Sequence, residues 1–275
     1  MDNSYLKNLS ERMVYDPIGH CIYCRAHDKK LTDEHTIPDG MGGRHILPKA
    51  SCESCQKTIN LFEQYCMRTL FPNTRAAWGI KGSRKRQEPK RSIKVKKRDG
   101  TIQRIHRPIS QLPILTALPV WPEPFALEGR EPTETFAGFQ WVHEPFDWED
   151  VQREFDADAI LTEEIKPYRF ARFIAKIAHA HSVAILGEDR FEPWLTGLIC
   201  DPKPQPWIHL VGGSIKVPPP EPQHTIQMWF AVIRRRTDKM NLGMFTIRLF
   251  PQIGGPVYHA IIGRMLKPWP VERGD

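Results

Sequence analysis

The sequence predicts an α+β protein: an N-terminal module with a four-cysteine zinc site, then a basic segment, then a C-terminal antiparallel sheet with a packed helix. Three observations predict this class. Two C-x-x-C pairs occur in the first 55 residues, a dense run of Lys and Arg follows them, and the last third combines one long helical pattern with short strand patterns. We therefore expect three parts, residues 1–80, 81–160 and 161–275, the last of unknown role.

Composition limits the class of protein further. The chain has 275 residues, 40% of them hydrophobic, and its 13 Phe and 8 Trp exclude a wholly disordered chain. No run approaches the roughly 20 apolar residues that a membrane helix requires, so we expect no membrane partner. The first residues contain no apolar leader segment, and we therefore expect a cytoplasmic location.

The first element is a pair of cysteine knuckles, Cys21-x-x-Cys24 and Cys52-x-x-Cys55, separated by 27 residues. In a cytoplasmic chain this pattern favours tetrahedral zinc over disulfides, and four protein sulfurs make such a site structural. Redox C-x-x-C chemistry is the alternative, although no βαβ pattern surrounds the pairs. The other two cysteines are solitary and are expected to be small buried hydrophobes: Cys66 and Cys200.

The spacer between the knuckles carries an acidic residue beside a histidine, Glu34-His35, followed by Gly42-Gly43 and the second knuckle. Together these motifs resemble the HNH endonuclease family, in the branch whose ββα-metal core is bracketed by two zinc knuckles. The resemblance covers about residues 19–70. It implies an endonuclease that hydrolyses phosphodiester bonds, with His35 activating water as the general base and Glu34 binding a catalytic divalent ion such as Mg²⁺.

The residue types suit that chemistry. Phosphodiester hydrolysis requires a water in line with the leaving oxygen and a cation that stabilises the developing charge. A neutral imidazole can accept the proton of that water near neutral pH. The alternative is that Glu34 and His35 are polar surface residues of a zinc-stapled fold.

A helix is predicted over residues 54–70, after the second knuckle. Its apolar stripe is formed by Ile59, Phe62, Cys66 and Leu70. A neighbouring stripe consists of Gln56, Asn60 and Glu63, whose side chains could point together at an ion. Asn60 and Glu63 are therefore further candidate ligands of the catalytic metal. Leu47 and Gln56 depart from the family pattern, which keeps open a degenerate module that binds nucleic acid without cleaving it.

Twelve Lys and Arg oppose two acidic residues between Lys81 and Arg107. The whole chain has a net charge of +7, so this segment accounts for all of the positive excess. Such a run indicates a polyanionic partner, here nucleic acid with double-stranded DNA as the expected form, or else a solvated hairpin. Asp99-Gly100 between two alternating runs predicts the hairpin. The candidate nucleic-acid contacts are Lys85, Arg86, Lys94, Lys96, Lys97 and Arg98.

The C-terminal part begins with a helix predicted over Lys166 to Leu186, which ends at Gly187. One face of this helix is cationic, and we expect it to be solvated rather than bound to phosphate: Arg169, Arg172, Lys176 and His179. The predicted strands are residues 207–211, 227–235, 244–250 and 257–263, with a hairpin around residues 241–243. Residues 108–150 are expected to form an extended connection with short strands.

Overall fold

The computed structural model describes most of the chain. The described residues are 9, 11–80, 91–108, 111–113, 115–131, 138–143, 147–161, 164–201, 206–214 and 226–267. Two of the predicted nucleic-acid contacts, Lys85 and Arg86, lie outside these residues.

The N-terminal module is a small sheet followed by a helix. Its elements are β1 (Met13–Val14), β2 (Leu31–His35), β3 (His45–Cys52), α1 (Glu53–Tyr65) and α2 (Pro72–Ala77). Strand β3 lies between a parallel β1 and an antiparallel β2. Helix α1 follows β3 directly, and a π-helical turn over Cys66–Leu70 completes the helix that was predicted to reach residue 70.

The Gly-Gly pair forms the tight connection between β2 and β3. Gly42 adopts a φ of 79°, a left-handed conformation that side chains disfavour. A Cβ atom on Gly43 would lie 1.9 Å from the carbonyl oxygen of Ile37, which no side chain could accommodate. The pair therefore has a structural role in closing the hairpin.

The middle of the chain contributes two small sheets and one helix. Its elements are β4 (Arg91–Lys97), β5 (Ile102–Arg107), β6 (Leu115–Val120), β7 (Gly138–His143), α3 (Trp148–Phe155) and β8 (Ala157–Leu161). Strands β4 and β5 form the predicted hairpin, and β8 pairs with β4 on its other side. We name this three-stranded sheet the basic sheet. Strands β6 and β7 pair with each other, in agreement with the short strands expected there.

The C-terminal part is an antiparallel sheet with a packed helix, as predicted. Its elements are α4 (Pro167–Leu186), β9 (Phe191–Pro193), α5 (Leu195–Cys200), β10 (Val211–Gly213), β11 (Ile226–Arg234), β12 (Asn241–Leu249) and β13 (Val257–Met265). The strand order is β10-β13-β12-β11, and β9 pairs with β13.

Two details of that prediction are wrong. Trp207–His209 forms a 3-10 turn rather than the start of a strand, and only Val211–Gly213 after it is extended. The hairpin of β11 and β12 turns before Asn241, so residues 241–243 already belong to β12. Alternating apolar residues indicate that a strand exists but do not fix its first and last residues, so both predicted boundaries are misplaced by a few residues.

Helix α4 lies at the centre of the molecule. Phe170, Phe173 and Ile177 are fully buried, and one hydrophobic cluster joins them to residues of the N-terminal module and of the C-terminal sheet. A smaller, separate cluster lies between the basic sheet and α3. The three-part division of the chain stays a prediction, but residues of parts one and three share a core. Among the described residues, no helix has the length and apolar character needed to cross a membrane.

Candidate functional site

The four knuckle cysteines converge at the end of β3 and the start of α1. The sulfur atoms of Cys21, Cys24, Cys52 and Cys55 all lie within 4.8 Å of one another, and those of Cys24 and Cys52 are 3.7 Å apart. Tetrahedral zinc with bonds of about 2.3 Å places its sulfur ligands about 3.8 Å apart, so the cluster could hold a zinc ion. This convergence was predicted from the spacing of the two pairs.

A fifth thiol lies beside this cluster. Cys200, at the end of α5, places its sulfur 3.9 Å from that of Cys55 and is half-buried. The expectation of an isolated buried hydrophobe is therefore wrong for Cys200, whereas it holds for Cys66, which is fully buried. Because Cys200 follows Cys55 by 145 residues, no local spacing could have indicated the contact.

The predicted metal-binding carboxylates converge as well, but on a lysine. The Nζ atom of Lys176, from α4, lies 2.7 Å from Oε1 of Glu34 and 2.9 Å from Oε1 of Glu63. It also donates a hydrogen bond to the main-chain oxygen of His35. The lysine side chain is 1% exposed and that of Glu34 is 5% exposed. We call this arrangement the ammonium centre.

Electrostatics keep Lys176 charged in this position. Burial alone lowers the pKa of Lys176, but the charges of Glu34 and Glu63 outweigh burial and raise it above its ordinary value. Burial raises the pKa of Glu63, and the Lys176 ammonium opposes that effect. A buried charge is tolerated only when it is paired and hydrogen-bonded, and here three oxygen atoms surround one ammonium.

A catalytic divalent ion does not fit the ammonium centre. The space that faces both carboxylates holds the Lys176 ammonium, which already neutralises one of their two charges. A divalent ion would have to displace a fully buried side chain or lie beside another cation. Glu34 and Glu63, which were predicted to bind Mg²⁺, therefore bind the ammonium group of Lys176.

The remaining predicted residues on α1 lie apart from this centre. Asn60 is exposed, and the oxygen atoms that surround Lys176 come from other residues. Gln56 donates a hydrogen bond of 3.2 Å to the main-chain oxygen of Asp33, which ties α1 to β2. The helical stripe thus delivers one carboxylate, Glu63, rather than a full ligand set.

His35 lies on β2 immediately after Glu34. Its side chain is half-buried, and its Nδ1 atom is buried with no hydrogen-bond partner among the described residues. Successive side chains of a strand point to opposite faces, so His35 and Glu34 face different sides of the hairpin. The imidazole nevertheless lies near the ammonium centre, because His35 is among the groups whose charge lowers the pKa of Glu63.

Three of the four cationic residues on this face of α4 are buried, contrary to the expectation that the face is solvated, whereas Arg169 is exposed as expected. Arg172 donates to the main-chain oxygen of Ile199, and the Nε2 of His179 donates to that of Ile22 at 3.0 Å. Burial lowers the pKa of His179 to about 4. These cationic side chains meet acceptors on neighbouring elements, because α4 is enclosed by the N-terminal module and α5.

The basic sheet carries the described part of the predicted nucleic-acid surface. Lys94 and Lys96 lie on the face of β4 opposite to Val95, which packs in the smaller hydrophobic cluster. Lys96 is exposed, and Arg98 forms an exposed ion pair with Asp156 at 3.7 Å. The sheet therefore presents positive charge on one face, although Arg98 has an acidic neighbour.

Comparisons with protein-family models, with curated proteins and with solved structures found no match to this chain.

Proposed function

We propose that the chain binds nucleic acid through a zinc-stapled hairpin-and-helix module and the adjacent basic sheet, without metal-dependent cleavage at Glu34 and Glu63. In this proposal the four cysteines hold one structural zinc ion. The order of hairpin, second knuckle and helix supports descent from the HNH arrangement that the sequence resembles. The partner is a phosphate backbone, with double-stranded DNA as its expected form.

The observation that carries this proposal is the buried ammonium of Lys176 between Glu34 and Glu63. A nuclease of the resembled family needs a cation that touches the scissile phosphate. Lys176 is 1% exposed and its three acceptors are protein oxygens, so it cannot supply that contact. Its role is to hold β2 and α1 against α4.

The positive charge of the basic sheet supports the nucleic-acid partner. Twelve Lys and Arg in one segment repel one another unless they are solvated or meet a polyanion. Binding to phosphates releases condensed counterions, which gives affinity independent of sequence. Lys94, Lys96 and Arg104 share one face of the sheet and provide the described part of such a surface.

A second candidate function, endonuclease activity, is favoured by His35. Its half-buried ring has a nitrogen without a partner in the described part of the chain, and a neutral imidazole is a competent base. In this alternative His35 accepts the proton of the attacking water. No step passes through a divalent ion at Glu34 and Glu63, since Lys176 occupies the place between them.

One experiment separates the two candidates. The zinc-loaded full chain is incubated with supercoiled plasmid in Mg²⁺ or Mn²⁺, and nicking and mobility shift are read on the same gel. We expect retarded but intact plasmid, for wild type and for His35→Ala alike. Nicking by wild type that disappears in His35→Ala would establish the endonuclease instead. Absence of a mobility shift at low salt would contradict both candidates.

A further inference from the structure

A cleft of about 370 Å³ lies where the basic sheet meets the N-terminal module. One wall is formed by the turn after α1 and the start of α2, from Arg68 to Asn73, and the other by β4 and β5. The segment leading into β6 and the end of β8 close the remaining sides. This volume lies within the range of small-ligand sites, roughly 300–1,000 Å³.

Positive charge lines the cleft on both walls. Arg68 lies on the first wall, while Lys94 and Arg104 project from the two paired strands, with His106 beside them. Lys94 and Arg104 are directly paired across β4 and β5, so their side chains share one face. Among the described residues that line the cleft, none is Asp or Glu. The side chains therefore favour an anion.

Neutral polar groups lie beside the cationic side chains of the cleft. Arg104 donates a hydrogen bond of 3.0 Å from Nη1 to Oγ of Ser92, which orients the guanidinium along the sheet. Asn73 donates from Nδ2 to the main-chain oxygen of Ser92 at 3.5 Å and joins the two walls. Thr69 adds a hydroxyl group to the lining. Fixed donors of this kind suit the oxygen atoms of a phosphate group.

Aliphatic side chains lie beside the cationic ones, since Leu161 pairs directly with Lys94 across β4 and β8. The aliphatic lining is formed by Leu115, Ile160, Leu161 and Ile165. An inorganic anion would make no use of these side chains, whereas a ligand with a flat, weakly polar ring would bury part of its surface against them. The cationic and aliphatic side chains together select a ligand that carries a phosphate at one end and a ring system at the other.

We propose that this cleft binds a nucleotide, with its phosphate at Lys94 and Arg104 and its base against the aliphatic side chains. The identification of the nucleotide as one unit of a nucleic-acid strand rests on the proposed function; a free nucleotide presents the same chemistry. A base-paired duplex is too wide for the cleft, so a strand enters it at an unpaired end or with one nucleotide turned out of the stack.

The strand itself supplies a matched control. Lys96 lies on the same face of β4 as Lys94, two residues further along, and it is exposed and outside the cleft lining. Lys94→Gln and Lys96→Gln thus remove the same charge from neighbouring positions of one strand. Arg104→Gln provides a second cleft variant from an exposed position, and circular dichroism checks that each variant is folded.

Affinity is measured by calorimetry with AMP and with adenosine, and by fluorescence anisotropy with a labelled oligonucleotide duplex that carries a single-stranded overhang, on the zinc-loaded full chain. We expect AMP to bind and adenosine to bind far more weakly. Because a charge-assisted hydrogen bond contributes about 1.5–3 kcal/mol, Lys94→Gln and Arg104→Gln should each weaken AMP and oligonucleotide binding by about tenfold or more. Lys96→Gln should leave AMP binding unchanged.

The outcomes distinguish this inference from the proposed function. AMP binding that fails in the cleft variants, without any oligonucleotide binding, supports the cleft with a free nucleotide and contradicts the proposed function. Oligonucleotide binding that falls equally in Lys94→Gln and Lys96→Gln, with no AMP binding, supports the proposed function and overturns the nucleotide cleft. Equal affinity for adenosine and AMP would also overturn it, because the phosphate would then play no part.

Discussion

The cysteine cluster and the ammonium centre lie on the same hairpin and helix, yet their negative charges are neutralised in different ways. Four thiols converge at Cys21, Cys24, Cys52 and Cys55, and the cluster needs an external ion to hold four sulfurs as thiolates. The two carboxylates of the ammonium centre receive their cation from the protein itself, through Lys176. Residue types that commonly bind metals therefore indicate a metal site only where no cationic side chain of the protein lies between them.

The largest expected effect comes from removing the cluster. Cys52→Ser should abolish zinc binding and unfold the N-terminal module, because structural zinc sites contribute about 10–16 kcal/mol of apparent binding energy to folding. Elemental analysis and thermal melting give the two measurements, with one zinc ion per chain expected for the wild type. Cys200→Ser is the matched control: it changes the neighbouring thiol and should retain that stoichiometry.

Removing the protein's own cation is the corresponding test of the ammonium centre. Lys176→Met leaves two buried carboxylates unpaired, and the loss of one partner of a buried ion pair costs about 3–5 kcal/mol. Denaturant unfolding measures this decrease in stability. Lys57→Met, which breaks the exposed pair with Glu53, should change stability far less, because water and salt screen that pair.

The same variant sharpens the comparison between the two centres. With the ammonium removed, Glu34 and Glu63 become free to bind a divalent ion. Millimolar Mn²⁺ should therefore raise the stability of Lys176→Met while leaving that of wild type unchanged. If Mn²⁺ stabilises wild type and variant equally, the ion binds elsewhere and the ammonium does not occupy a cation position.

A smaller, pH-dependent effect is expected where α4 meets the hairpin at His181. Burial lowers the pKa of His181 to about 3, and its Nδ1 lies 3.2 Å from Oγ1 of Thr36. The unfolded chain therefore binds the proton first as the pH falls below about 6.5, and His181 alone should lower the free energy of unfolding by roughly 1.6 kcal/mol between pH 6.5 and 5, with buried His179 adding to the total. This contribution is fully present only above the unfolded pKa.

Chemical denaturation across that pH range measures the slope. His181→Gln should make it shallower than in wild type, whereas His106→Gln, at an exposed position of β5, should leave it unchanged. A wild-type slope that persists in His181→Gln would show that other groups control the pH dependence.

The smallest effect per residue is expected on the basic sheet. Replacing Lys96 and Lys97 with Gln should weaken duplex DNA binding at low salt and reduce the slope of log K against log salt by about 0.9 for each phosphate that the variant no longer neutralises. Anisotropy titrations at several salt concentrations measure this slope. Lys57→Gln on α1 removes a charge outside the sheet and serves as the control; an identical change there would assign the effect to net charge alone.

Local patterns predicted much of the molecule. The spacing of the cysteines predicted the four-thiol cluster, the turn residues Asp99-Gly100 predicted the β4–β5 hairpin, and the helical period brought Glu63 to the same side as Glu34. Each of these features depends on neighbours within about 50 residues of sequence. The endonuclease activity implied by the resemblance stays a prediction.

The partners of these groups could not be predicted locally. Lys176 and Cys200 each reach their contacts across more than 100 residues, and no spacing rule covers that distance. One signal was nevertheless present in α4. Apolar residues occupy nearly every side of this helix, which is typical of a buried helix, and a lysine in a buried helix requires an acidic partner. Glu34 and Glu63 supply that partner.

The ammonium centre also links the integrity of the hairpin to complete synthesis of the chain. Lys176 follows His35 by 141 residues, so at about 5–20 residues per second the ribosome delivers α4 roughly 7–28 s after β2. All four knuckle cysteines are synthesised within the first 55 residues, whereas Glu34 and Glu63 wait more than 100 further residues for their cation. A chain truncated before α4 has its thiol ligands but leaves exposed the apolar surface that α4 covers, and the quality-control proteases of the cell can recognise it as unfinished.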